Sequence, residues 1–97
     1  MWIGWLDFDV LLGDVHSLKE KRSVVRPLVS AIAKKYGVSV AEAGHVELHR
    51  RAGIGVSVVA ADRAHVVDLL NSIEEFVAAR PEIELLSAGR DLFDNRE

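Results

Sequence analysis

The sequence predicts an α+β fold in which a four-stranded antiparallel sheet carries two helices on one face. Four segments read as strands, and in the first and third of them apolar residues alternate with a period of two, which is typical of strands with one buried face. Two longer segments place apolar residues at helical spacing. The segments follow one another in the order β-α-β-β-α-β. With 97 residues and no linker rich in proline or glycine, the chain is expected to form one domain, residues 1–97.

The first strand is predicted from residue 2 to about residue 14. Its even positions, from Trp2 to Leu12, are nearly all apolar, and its odd positions mix apolar side chains with Asp7 and Asp9. The even face therefore belongs to the core.

The first helix is predicted over residues 17–36. Ser17 followed by Glu20 fits a capping box, and Gly37 is placed to end the helix. Pro27 removes one helical hydrogen bond, so we expect either a kink there or a helix that restarts at Ser23 after a separate first turn. The expected core stripe consists of Leu18, Val25, Leu28, Val29, Ile32 and Tyr36.

Three strands and a second helix complete the chain. The strands are predicted over residues 38–42, 52–61 and 82–93, with residues 45–51 as a hairpin connection. Asp62 caps a helix over residues 63–79, whose stripe is Val66, Leu69, Leu70, Ile73, Phe76 and Val77. This order is the ferredoxin-like split β-α-β plan. Right-handed crossovers bring the first and third strands together at the centre, where we expect them to be parallel.

Positive charge is concentrated on the first helix. Residues 17–36 carry six Lys and Arg against Glu20, a charge of +5, although the whole chain carries −3. Lys19, Arg22 and Arg26 fall along one side near the helix N-terminus, where a bound anion would meet free N–H groups. The alternatives are a solvated face, or pairing with Asp14, Asp91 or Asp94. The candidate nucleic-acid or anion-binding residues are Lys19, Arg22 and Arg26, with Lys21, Arg50 and Arg51 as auxiliaries.

The sheet face away from the helices is a candidate oligomer contact. On the first strand it carries Ile3, Trp5 and Leu11, three large apolar side chains that would lie in water unless a partner covers them. Asp7 and Asp9 share this face and could act as acid and base or hold a metal, or pair with Arg90. These carboxylates make the face poorly suited to nucleic acid, so RNA is expected on the helical side.

The sequence gives little support for a metal, cofactor or catalytic site. The chain has no cysteine, and His45 and His49 lie in a strand or loop, about 13 Å apart, without a third ligand. We therefore expect no cofactor, no metal and no catalytic residue. No apolar run is long enough to span a bilayer, and no basic segment precedes an apolar one at the start, so the expectation is a cytoplasmic protein away from membranes.

The first strand-to-helix loop, residues 13–17, is also a candidate phosphate-binding site of an acylphosphatase-like enzyme. Acylphosphatases share the length and topology and bind phosphate there with a nearby Arg, and Gly13-Asp14-Val15 before Arg22 is superficially similar. The glycine-rich middle of that loop is absent. The catalytic Asn is also missing, because the only asparagines are Asn71 and Asn95.

Three segments resemble the YlxP-like bacterial proteins, a family labelled as a domain of unknown function. They read HSLKEKRSVVRPL with VSVAE, over residues 16–28 and 38–42, and VAARPEIELL, over residues 77–86. The resemblance implies a ferredoxin-like fold and, because the family's genes often lie near those for translation initiation and ribosome maturation factors, an association with RNA or the ribosome. The family usually has an acidic-Leu-Trp-Gln-Arg segment, where this chain has ELHRR over residues 47–51.

Overall fold

A computed structural model describes residues 1–96 and confirms the predicted fold class. The elements are β1 (Trp2–Leu11), α1 (Leu18–Tyr36), β2 (Ser39–Gly44), β3 (Arg51–Ala60), α2 (Arg63–Ala78) and β4 (Glu84–Asp94). Most predicted boundaries differ from these by one or two residues, and the end of β1 differs by three. No helix in the described part of the chain is long and apolar enough to cross a membrane.

The sheet has the strand order β2-β3-β1-β4, and every neighbouring pair is antiparallel. The first and third strands are the central neighbours, as predicted, but the expectation that they are parallel is wrong. Each crossover helix skips over one strand, so β1 is parallel to β2 and β3 to β4. The strand inserted into each pair runs the opposite way.

The core lies between the sheet and the two helices. Its largest buried side chains are Leu6, Phe8, Val10, Leu28, Ile32, Ile54, Val58, Val66, Leu70, Ile73 and Val77. Gly4 lies on this face, where a Cβ would come within 2.6 Å of Val66 Cγ1. Glycine at this position lets α2 pack closely onto β1.

The caps of α1 follow the sequence signals with one difference. Ser17 Oγ accepts a hydrogen bond from the Glu20 N–H at 3.1 Å, and Gly37, at φ 64°, donates its N–H to Ala33. The Glu20 carboxylate accepts from the His16 N–H, one residue before the N-cap. The helix runs unbroken through Pro27, so the expected restart at Ser23 is wrong.

The buried stripe of α1 differs from the predicted one in its first turn. Leu18 is exposed, whereas Lys21 is buried together with Val25, Leu28 and Ile32. Lys21 lies four residues before Val25 and seven before Leu28, which is the spacing of one helix face. In the first turn of the helix, the charged Lys21 therefore takes the place in the buried stripe that the sequence prediction gave to Leu18.

Candidate nucleic-acid interface

The basic face of α1 lies in water. Lys19, Arg22 and Arg26 are all exposed, and none of them forms an ion pair or side-chain hydrogen bond with another residue in the range 1–96. The three positions fall within about 60° around the helix and span about 11 Å along it. The structure thus holds three cations on one side of α1 without using them internally.

The carboxylates considered as partners for these cations are engaged elsewhere. Asp14 lies 2.6 Å from His16 Nε2, and Asp94 pairs with Arg96 at 2.7 Å. Asp91 accepts a hydrogen bond from the backbone N–H of Leu92. Internal pairing therefore does not account for the basic face.

A groove runs between α1 and the edge strand β2. Its volume is about 340 Å³. Arg22, Val25, Arg26 and Val29 line it from α1, and Glu42 lines it from β2. The basic face therefore borders a small recess that has apolar and acidic walls.

Lys21 is separated from this surface, because its side chain is only 3% exposed. Its ammonium group donates hydrogen bonds to the carbonyl oxygens of His45 and Leu48, both at 2.7 Å. It also lies 2.8 Å from Glu42 Oε2. Lys21 therefore holds the connection between β2 and β3 against α1 and has no group free for an external anion.

Arg50 and Arg51 also have internal partners. Arg50 Nε donates to the carbonyl oxygen of Gly13. Arg51 lies on the open sheet face, where its guanidinium donates two hydrogen bonds to Asp9. This contact holds the pKa of the Asp9 carboxyl below its ordinary value. The suggested pairing of these aspartates with Arg90 is wrong, since Arg90 bonds to Asn71 and Glu74 on α2.

The open sheet face carries an apolar patch at one end. Val59, Ile3 and Phe93 are neighbours on three adjacent strands, and Trp5 follows in the next row. Val59 is 60% exposed, Phe93 48% and Trp5 41%. We call these four residues the sheet patch. Leu11 lies at the opposite end of β1, about 26 Å from Ile3, and is not part of it.

No group of three His, Asp or Glu side chains is arranged to hold a metal ion among residues 1–96. His45 Nε2 lies 3.5 Å from Asp9 Oδ1 on the open face, while His16 contacts Asp14 in the first loop. His45 and His16 thus each contact a single carboxylate.

Sequence comparison identifies relatives over most of the chain. The family model described as "Protein of unknown function (DUF503)" matches residues 3–90. The uncharacterized protein YlxP of Bacillus subtilis (strain 168) is 30% identical over 82 residues, which cover 84% of this chain and 89% of that protein. The chain therefore belongs to the DUF503 family.

Proposed function

We propose that this protein is a non-enzymatic cytoplasmic module that binds RNA or a ribonucleoprotein such as the ribosome. In this proposal, Lys19, Arg22 and Arg26 contact backbone phosphates. The observation that carries it is the basic face of α1, whose three exposed cations have no partner among residues 1–96, on an otherwise acidic chain.

Phosphate contacts of this kind position an RNA strand without reading its sequence. The acidic remainder of the chain disfavours RNA elsewhere, and Asp7, Asp9 and Asp91 do so on the open sheet face. Bound RNA is therefore expected along α1 and the adjoining edge strand β2.

The proposal is tested by measuring binding of a fluorescent single-stranded RNA at increasing salt. Three phosphate contacts predict a log–log slope of about −2, since each contributes about −0.7 on a single strand. Affinity should therefore fall roughly 15-fold between about 50 and 200 mM salt. Absence of measurable binding at the lowest salt contradicts the proposal.

A second candidate function is self-assembly through the sheet patch. Three strands at least about 33 Å long and the shorter β2, about 20 Å long, lie about 4.8 Å apart and offer a face of about 600 Å². That is close to the roughly 800 Å² that each partner contributes to a stable interface. On this face β1 also forms a ridge beside a trough on β3, because Trp5 neighbours Ser57 and Asp9 neighbours Gly53. A ridge and trough on one face are complementary under two-fold rotation, which points to a second copy as the occupant.

Sedimentation velocity over a wide concentration range tests this candidate. Val59→Asp places a charge in the sheet patch and should shift the monomer–dimer equilibrium at least tenfold toward monomer. Val46→Asp is the matched control, because Val46 is 59% exposed in the β2–β3 connection and Val59 is 60% exposed. A wild-type protein that stays monomeric at the highest concentration excludes self-assembly.

A further inference from the structure

We infer that the groove between α1 and β2 receives a single base of bound RNA, and that Glu42 selects cytosine over uracil there. The inference rests on the proposed function, since it assumes that Arg22 and Arg26 hold the flanking phosphates. It adds a base-reading residue to a surface that otherwise contacts only the backbone.

The size and lining of the groove suit one base. Its volume of about 340 Å³ lies at the small end of ligand sites, which begin near 300 Å³. Val29 is half-buried and offers an apolar contact for a base face, whereas Val25 next to it is buried in the core. Arg22 and Arg26 line the groove from the same helix. Because β2 is an edge strand, nothing within residues 1–96 closes the groove along that side.

Glu42 supplies an acceptor to this site. Its side chain is 26% exposed, and it accepts no hydrogen bond from any residue in the described part of the chain. Lys21 Nζ approaches Oε2 at 2.8 Å, as an ion pair without hydrogen-bond geometry. Oε2 is buried against Lys21, which fixes the carboxylate in place, and Oε1, which is not buried, remains to accept a hydrogen bond from a ligand.

The two arginines do not neutralise Glu42. No ion pair within 4.0 Å joins Glu42 to Arg22 or Arg26, although all three line the groove. Lys21 compensates the carboxylate from inside the protein, which leaves the guanidinium groups available for phosphates. The groove thus presents cations at its helical side and a hydrogen-bond acceptor at its strand side.

This arrangement distinguishes the two pyrimidines. An ionised carboxylate only accepts hydrogen bonds. Cytosine offers the N4 amino group as a donor, whereas uracil presents a carbonyl oxygen at the same position, which a carboxylate repels. Since the site is partly open to water, the discrimination is expected at the low end of the usual range, about five- to tenfold.

The test compares binding of oligocytidylate and oligouridylate of equal length at one salt concentration. Wild type should bind oligocytidylate five- to tenfold more tightly, and an oligonucleotide of N4,N4-dimethylcytidine should lose this preference without any change to the protein. Equal affinity within twofold, or a preference for oligouridylate, overturns the inference while the proposed function stands. Absence of binding to every RNA overturns both.

Two variants test whether Glu42 causes the preference for cytosine over uracil. Glu42→Gln replaces the acceptor by an amide that both donates and accepts, so the preference should fall below twofold while overall affinity is kept. Glu47→Gln, which removes an exposed carboxylate from the neighbouring connection, should leave the preference unchanged. A preference that persists in folded Glu42→Gln contradicts the role of Glu42, and the dimethylcytidine probe decides the question if that variant does not fold.

Discussion

Replacing Lys21 with methionine is expected to lower the free energy of unfolding by about 3 kcal/mol. The ammonium group is buried and bonds to the carbonyl oxygens of His45 and Leu48 while contacting Glu42. Methionine has a similar length and no donor, so these acceptors lose their partner. We expect the low end of the range for a broken buried ion pair, because water reaches the exposed connection between β2 and β3.

Urea unfolding of Lys21→Met measures this loss, and Lys19→Met provides the control. Lys19 lies two residues earlier on the exposed side of the same helix, so its replacement should change stability by less than about 0.5 kcal/mol. Adding Glu42→Met to Lys21→Met should recover part of the loss, because an apolar pair leaves no unpaired charge. If Lys21→Met and Lys19→Met unfold at the same urea concentration, Lys21 does not hold the connection.

The double variant Arg22→Glu/Arg26→Glu is expected to lose RNA affinity by about 100-fold or more. Each lost hydrogen bond between charged groups costs about 1.5–3 kcal/mol, and each 1.4 kcal/mol corresponds to a factor of ten. The glutamates also repel phosphate, so the salt dependence should fall from about −2 to about −0.7, the contribution of Lys19 alone. Fluorescence titration at several salt concentrations gives both quantities.

Lys34→Glu/Arg63→Glu is the control for net charge, because it changes the total charge equally. Lys34 lies about 12 Å along α1 from Arg26, and Arg63 opens α2 at the other end of the sheet. This control should lose less than about threefold in affinity, since nonspecific attraction between distant exposed charges is screened. Equal losses in the two double variants would assign the binding to overall charge rather than to the basic face.

The fold could be predicted from the sequence because its signals are local. Each signal acts within a few residues of the chain. The signals are the period-two alternation in β1 and β3, the caps Ser17 and Gly37 of α1, and Asp62 before α2. The predicted parallel arrangement of β1 and β3 was wrong, because the direction of a strand depends on which strand is inserted into which crossover. That is a property of the complete topology and not of any segment.

The candidate site was only partly accessible to sequence reasoning. Lys19, Arg22 and Arg26 were found from helical spacing, which fixes the side of a helix on which a residue lies. Lys21 and Glu42 were missed as a pair because they are 21 residues apart and meet only when α1 packs beside β2. One signal was present: Lys21 shares the stripe of Val25 and Leu28, where a lysine must find buried acceptors.

Arg51 shows that residues adjacent in the sequence need not share a surface. It is adjacent to Arg50 in sequence, but successive residues of a strand point to opposite faces. Arg51 opens β3 on the face that carries Asp9, whereas Arg50 reaches Gly13 at the start of the first loop. Charged residues near one another in a sequence therefore share a surface only at the spacing of their secondary structure, which is three or four on a helix and two on a strand.

The central claim is that RNA lies on the exposed basic face of α1, and an NMR titration of isotope-labelled protein with single-stranded RNA tests it most directly. We predict that the largest amide shift changes occur in residues 19–30 and around Glu42 in β2, and that they diminish as salt is raised. Shift changes confined to the open sheet face around Trp5, or none at all under low salt, would contradict the account.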